Sequence, residues 1–149
     1  MGSMFNGCSQ LFSLDLSKFI TYKVRVMGHM FYGCSQLSSL NLSNFDTSNV
    51  NYMDSMFQGC LRLSSLNLSN FDTSKVMNMK YMFTNCSQLV YLNLKNFIEN
   101  DLLSVTNIFS GVPDNIVICL NENNNTILNE IKNKTCYNID CSDNYNQKK

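Results

Sequence analysis

The chain has 149 residues, the length of one domain, and its eleven basic and eleven acidic residues leave a formal net charge of zero. No basic stripe is visible, which removes the electrostatic footprint of a nucleic-acid binder, and no apolar run reaches the roughly 18 residues that a membrane-spanning helix requires. Asn, Ser and Leu are abundant and Trp is absent; regularly spaced Leu, Met and Phe through residue 112 argue against the disorder that an Asn-rich composition alone suggests.

Met-Phe pairs stand at 4–5, 30–31, 56–57 and 82–83, and Ile108-Phe109 holds the same place once more, so the chain repeats every 26 residues. A fixed period in the range of roughly 20–50 residues marks a solenoid. The N-terminus falls in mid-unit, because MGSMFNGCSQL at 1–11 aligns without a gap with MGHMFYGCSQL at 27–37. Repeat arrays need caps over their open ends, and no secretory signal is visible. The expectation is a fragment, or the C-terminal part of a longer array, with any targeting signal upstream.

Each unit reads the same way along the chain. Leu11, Leu14 and Leu16 form LxxLxL, as do Leu37, Leu40, Leu42; Leu63, Leu66, Leu68; and Leu89, Leu92, Leu94. That spacing predicts a short strand with alternate residues facing a core. Phe19, Phe45, Phe71 and Phe97 follow as aromatic plugs. Asp46-Thr47-Ser48 and Asp72-Thr73-Ser74 then supply side-chain oxygens for a turn or helix start. Val76, Met79, Met82 and Phe83 lie at i, i+3, i+6 and i+7, which predicts one face of an α-helix. Val24, Met27, Met30, Phe31; Val50, Met53, Met56, Phe57; and Leu102, Val105, Ile108, Phe109 repeat it. Gly7, Gly33, Gly59, Asn85 and Gly111 sit just beyond this face, where a left-handed helix C-cap is expected. The predicted fold class is therefore α/β. It is a right-handed leucine-rich-repeat solenoid of 26-residue strand-turn-helix units, with a parallel β-sheet sharing about nine apolar side chains per layer.

The pattern MFxGCSxLxSLxLSxFDTSxVxxM resembles the BspA-like leucine-rich-repeat surface proteins over residues 1–111. The resemblance implies a non-enzymatic, cell-surface or secreted protein that adheres to host or neighbouring cells or binds matrix proteins. Residues 1–111 are the expected solenoid, 112–142 a C-terminal cap and 143–149 a polar tail. Pro113 marks the break. A strand is predicted over 115–121, a short helix over 126–134 with Ile127, Leu128 and Ile131 inward, and a last short strand or turn over 136–141.

Seven cysteines form two sets. Cys8, Cys34, Cys60 and Cys86 hold one repeat position. Zinc ligands come in close pairs that are missing here, and side chains on adjacent parallel strands stand about 5 Å apart against the mean of about 3.8 Å for bridged Cβ atoms. These four are read as a stack of small buried thiols, and no metal site is expected. Cys119, Cys136 and Cys141 lie in the cap. In an extracellular setting Cys119 is expected to pair with Cys136 or Cys141, the alternative being three free thiols in a reduced compartment.

Nothing supports catalysis. His29 is the one histidine and is read as a solvent-facing side chain, and Asp46 and Asp72 are turn residues rather than a catalytic pair. No catalytic residue and no cofactor is assigned. The candidate ligand-binding face comprises the outward strand positions Ser39, Asn41, Ser43, Ser65, Asn67, Ser69, Tyr91, Asn93 and Lys95, preceded by Ser13, Asp15 and Ser17. Solenoids use such faces for binding. The expected partner is an extracellular protein or glycan, from a host matrix or neighbouring cell, with no nucleic acid and no membrane insertion by this segment. Sequons occur at Asn41, Asn67, Asn85, Asn124 and Asn133; Asn124 and Asn133, in the cap, are the candidate glycosylation sites. Three functions stay open: an adhesion module, a structural spacer, and an intracellular scaffold.

Overall fold

The computed structural model describes residues 1–121 and 123–131 and the backbone of 137–138. Every 26 residues the chain returns to the same place one layer further on. Parallel bridges join Val26 to Tyr52, Tyr52 to Asn78 and Asn78 to Ser104. Five phenylalanines, Phe5, Phe31, Phe57, Phe83 and Phe109, stack in one column with centroids 5.6–5.8 Å apart and ring planes within 10° of parallel. In the central coil Val50, Met53, Met56, Phe57, Cys60, Leu63, Leu66, Leu68 and Phe71 are all buried.

The Met-Phe segments are not the α-helices that their spacing predicts. Each carries two left-handed residues four apart: His29 and Gly33, Ser55 and Gly59, Tyr81 and Asn85. A left-handed residue at every fourth position swings alternate amides off the helix axis and toward the next coil. Ser55, Phe57 and Gly59 N–H thus donate to the carbonyls of Lys80, Met82 and Thr84, each at 2.9 Å. The amides of Met56, Gln58 and Cys60 donate three residues back, to Met53, Ser55 and Phe57. Consecutive tight turns also bring a side chain to one face every three or four residues, so the apolar spacing mimics a helix. The positions past Phe are the expected Gly and Asn, but they punctuate a ladder between coils and not a helix end.

The leucine side is less regular than one strand per unit. Strands β1 (Ser65–Asn67), β2 (Tyr91–Leu94), β3 (Val117–Leu120) and β4 (Tyr137–Asn138) form a parallel sheet in the order β1-β2-β3-β4. Leu66 pairs with Leu92 and Leu92 with Ile118, so the register again steps by 26. The segments at 11–16 and 37–42 carry no strand. There carboxamides replace backbone pairing: Asn44 Nδ2 donates to the Leu16 and Phe19 carbonyls at 3.0 and 3.3 Å, and Asn70 Nδ2 to those of Leu42 and Phe45 at 3.0 and 3.1 Å. Backbone acceptors that lack a neighbouring strand are thereby satisfied.

A second internal ladder runs beside the plugs. Thr21, Thr47 and Thr73 are buried, and each hydroxyl donates to a carbonyl one coil on and accepts the amide of the same residue: Asp46, Asp72 and Ile98. One coil further the position is Glu99. Its carboxylate accepts the amides of Thr126 and Ile127 at 2.9 and 2.7 Å and so caps helix α1 (Asn125–Ile131). The helix starts one residue before the predicted 126. Ile127 and Ile131 are buried and Leu128 packs against the core. In the last coil Leu102, expected in the core, is 72% exposed. Leu103 packs inward instead, because its amide closes the turn on the Asn100 carbonyl as Val76 does on Thr73.

Candidate functional site

The sheet face keeps only part of the predicted surface. Ser39, Asn41, Ser43, Ser65, Asn67 and Lys95 are exposed, and Ser69 and Tyr91 partly so. Asn93 is not: it is 6% exposed. Its register partner Cys119 is also buried, and the Tyr91 hydroxyl donates to Cys119 Sγ at 3.5 Å. The outward face closes as it nears β3, so Asn93 drops out of the ligand-binding set.

The asparagines that remain are partly used within the fold. Asp15, Asn41, Asn67 and Asn93 each accept, through Oδ1, the amide two residues on, at 2.9–3.0 Å. This turn ends the leucine segment. What each Asn still offers outward is its NH2 group. Asp46 and Asp72 do the same at the next turn, where hydrogen bonds from Ser48 and Ser74 hold both carboxyls below the ordinary range.

Where the chain leaves the sheet, a shallow groove of about 400 Å³ is lined by Ser69, Asn70, Phe71, Asp72, Ser74, Asn96 and Ile98. It spans two coils. Of the predicted face only Ser69 lines it. Asp72 and Ser74 are expected turn residues and Phe71 an expected plug, while Asn70, Asn96 and Ile98 carry no expectation as site residues. His29 is partly exposed beside Asp54, with Nδ1 3.4 Å from Oδ2.

The repeat cysteines form a hydrogen-bonded file. Cys34, Cys60 and Cys86 donate from Sγ to the carbonyls of Phe5, Phe31 and Phe57 at 3.1–3.2 Å. Burial pushes all three thiols up, Cys34 to about 11 and Cys86 to about 12. Cys8 is exposed, unlike the three it aligns with. Alkylation of the native chain at mildly alkaline pH is therefore expected to label Cys8 and spare the other three, as peptide mapping by mass spectrometry would show. A thiol kept protonated by folding costs no stability below its ordinary value of about 9. Stability falls as pH rises above that, because only the unfolded chain ionises. Equal labelling of all four would contradict this burial.

Cys119 is disulfide-bonded; Cys136 and Cys141 lie outside the described residues, as do Asn133 and residues 143–149. Asn124 is 2% exposed and its Nδ2 donates to the Phe97 carbonyl at 3.0 Å. A glycan cannot be carried on that nitrogen in the folded chain, so Asn124 is withdrawn as a glycosylation site. Among the described residues no group of three His, Cys, Asp or Glu side chains could hold a metal ion, and no helix is long and apolar enough to cross a membrane.

A family model described as "Mycoplasma protein of unknown function, DUF285" matches residues 1–116. The chain belongs to this family. The DUF285 match takes in all five Met-Phe or Ile-Phe positions and stops at the start of β3, so it covers the repeated coils and not helix α1. Comparison with curated proteins found no match, and neither did comparison with solved structures.

Proposed function

We propose that this DUF285 chain is a leucine-rich-repeat solenoid of the BspA-like type. It acts as a non-enzymatic adhesion or protein-interaction module, secreted or on the cell surface. It binds an extracellular protein or glycan through the exposed sheet face. The reading is supported by spacing: Ser39, Asn41 and Ser43 stand one repeat before Ser65, Asn67 and Ser69, and all six polar residues are exposed or partly so. Such extended surfaces are what stacked repeats offer a partner. The disulfide at Cys119 favours an oxidising compartment over an intracellular scaffold.

One observation favours the spacer instead. The Asn41 and Asn67 oxygens are already held by the Ser43 and Ser69 amides, so the face is partly self-satisfied. Capture of matrix proteins and glycans by the immobilised chain separates the two. Ser39→Arg with Ser65→Arg is expected to weaken capture at least tenfold while leaving the unfolding midpoint in place. Undiminished capture would remove the sheet face from the proposal, and no capture by the unaltered chain would leave the spacer.

A further inference from the structure

The asparagine ladder is interrupted at one place, and the groove lies there. Asn44 satisfies the Phe19 carbonyl, Asn70 that of Phe45 and Asn124 that of Phe97. The Phe71 carbonyl should be served by Asn96. Asn96 Nδ2 instead donates to the Ser69 carbonyl, and among the described residues nothing donates to Phe71 O. The Phe71 ring is buried in the core, so this residue meets the groove through its backbone.

Acceptors predominate among the other polar groups here, although the Ser69 and Ser74 hydroxyls that also line the groove can donate. The carboxamides of Asn70 and Asn96 donate inward to backbone carbonyls, which leaves their oxygens free. Asp72 accepts the Ser74 amide through Oδ1 and also a hydrogen bond from the Ser74 hydroxyl, and it keeps its negative charge. Ile98, exposed, forms an apolar wall at the position that Asp46 and Asp72 occupy in earlier coils. Lys75 stands near Asp72, but its Nζ is turned to Asn49 Oδ1 at 3.1 Å.

A group that only donates is the complement of a site that mostly accepts. We propose that the groove between the third and fourth coils binds the guanidinium of an arginine side chain on a partner polypeptide, ion-paired to Asp72 and hydrogen-bonded to the Phe71 carbonyl and Asn96 Oδ1, with its methylenes along Ile98. Guanidinium presents five donors and no acceptor and pairs strongly with carboxylates, and its stem packs on apolar surface. A neutral glycan fits less well, because it brings no positive charge to the Asp72 carboxylate.

The proposal rests on reading the chain as a protein-binding module, but its test does not use the sheet-face ligand, so the two fail separately. Titrating tri-arginine into the isotope-labelled full chain should give saturable amide shifts at Ser69, Asn70, Phe71, Asp72, Asn96 and Ile98. Asp72→Asn keeps the turn, as Asn41 and Asn67 do at theirs, and should weaken binding at least tenfold. Asp101→Asn, at an exposed carboxylate that does not line the groove, should leave it unchanged. Shifts scattered over the surface, shifts indifferent to Asp72→Asn, or equal shifts with the neutral sugar chitotriose would each overturn the proposal.

Discussion

Phe57→Ala is expected to lower the unfolding free energy by about 3–5 kcal/mol, the usual cost of emptying a buried phenylalanine site. Phe57 is fully buried and lies in the middle of the ring column, 5.7 Å from Phe31 and 5.8 Å from Phe83, with planes 6° and 3° from parallel. Both stacking partners lose a face at once. A domain of ordinary stability holds only about 5–15 kcal/mol in all, so much of the chain's stability would go. Phe12→Ala, at an exposed site, should change stability by less than about 0.5 kcal/mol. Urea unfolding of the two variants checks the contrast, and a small loss at Phe57 would mean that the column does not carry the stack.

Thr73→Val should cost roughly 2–4 kcal/mol although it keeps the side chain's shape. The lone hydroxyl both donates to the Ile98 carbonyl at 2.9 Å and accepts the Ile98 amide at 2.8 Å. Removing it leaves two part-buried backbone groups unpaired, at about 1–3 kcal/mol each. Thr73→Ser keeps both bonds and should lose much less, since it forfeits only a methyl group. If Val and Ser destabilise equally in thermal unfolding, the hydroxyl ladder is not what binds one coil to the next at this edge.

The period itself was legible in the sequence, because the Met-Phe pair, the Cys and the plug Phe recur without slippage from 4 to 97. What the residues do within a period was only half legible. Val76, Met79, Met82 and Phe83 bury as expected, yet the segment that carries them is a run of turns. Gly33 and Gly59 announce their left-handed backbone, but Ser55 and Tyr81 do not, since neither residue type favours positive φ. The signal that separates helix from ladder was absent at that position. Sequence also offered the polar strand positions as a free surface, because it could not show Asn93 covered beside Cys119 or Asn41 bound to its own turn. The slippage after Phe97, where Leu103 replaces Leu102, follows from a turn closed on Asn100, which no spacing rule reveals. The groove escaped notice for a related reason: it depends on Asn96 turning to Ser69 instead of Phe71, a choice of partner and not of residue type.

The central physical claim is that the Met-Phe segments bond from coil to coil and not along a helix. Through-hydrogen-bond scalar coupling between amide nitrogen and carbonyl carbon reads this directly. The Phe57 amide should couple to the carbonyl of Met82, 25 residues ahead, from which it is 2.9 Å. Coupling to the carbonyl of Met53, four residues back, would instead restore the helix and contradict the stack.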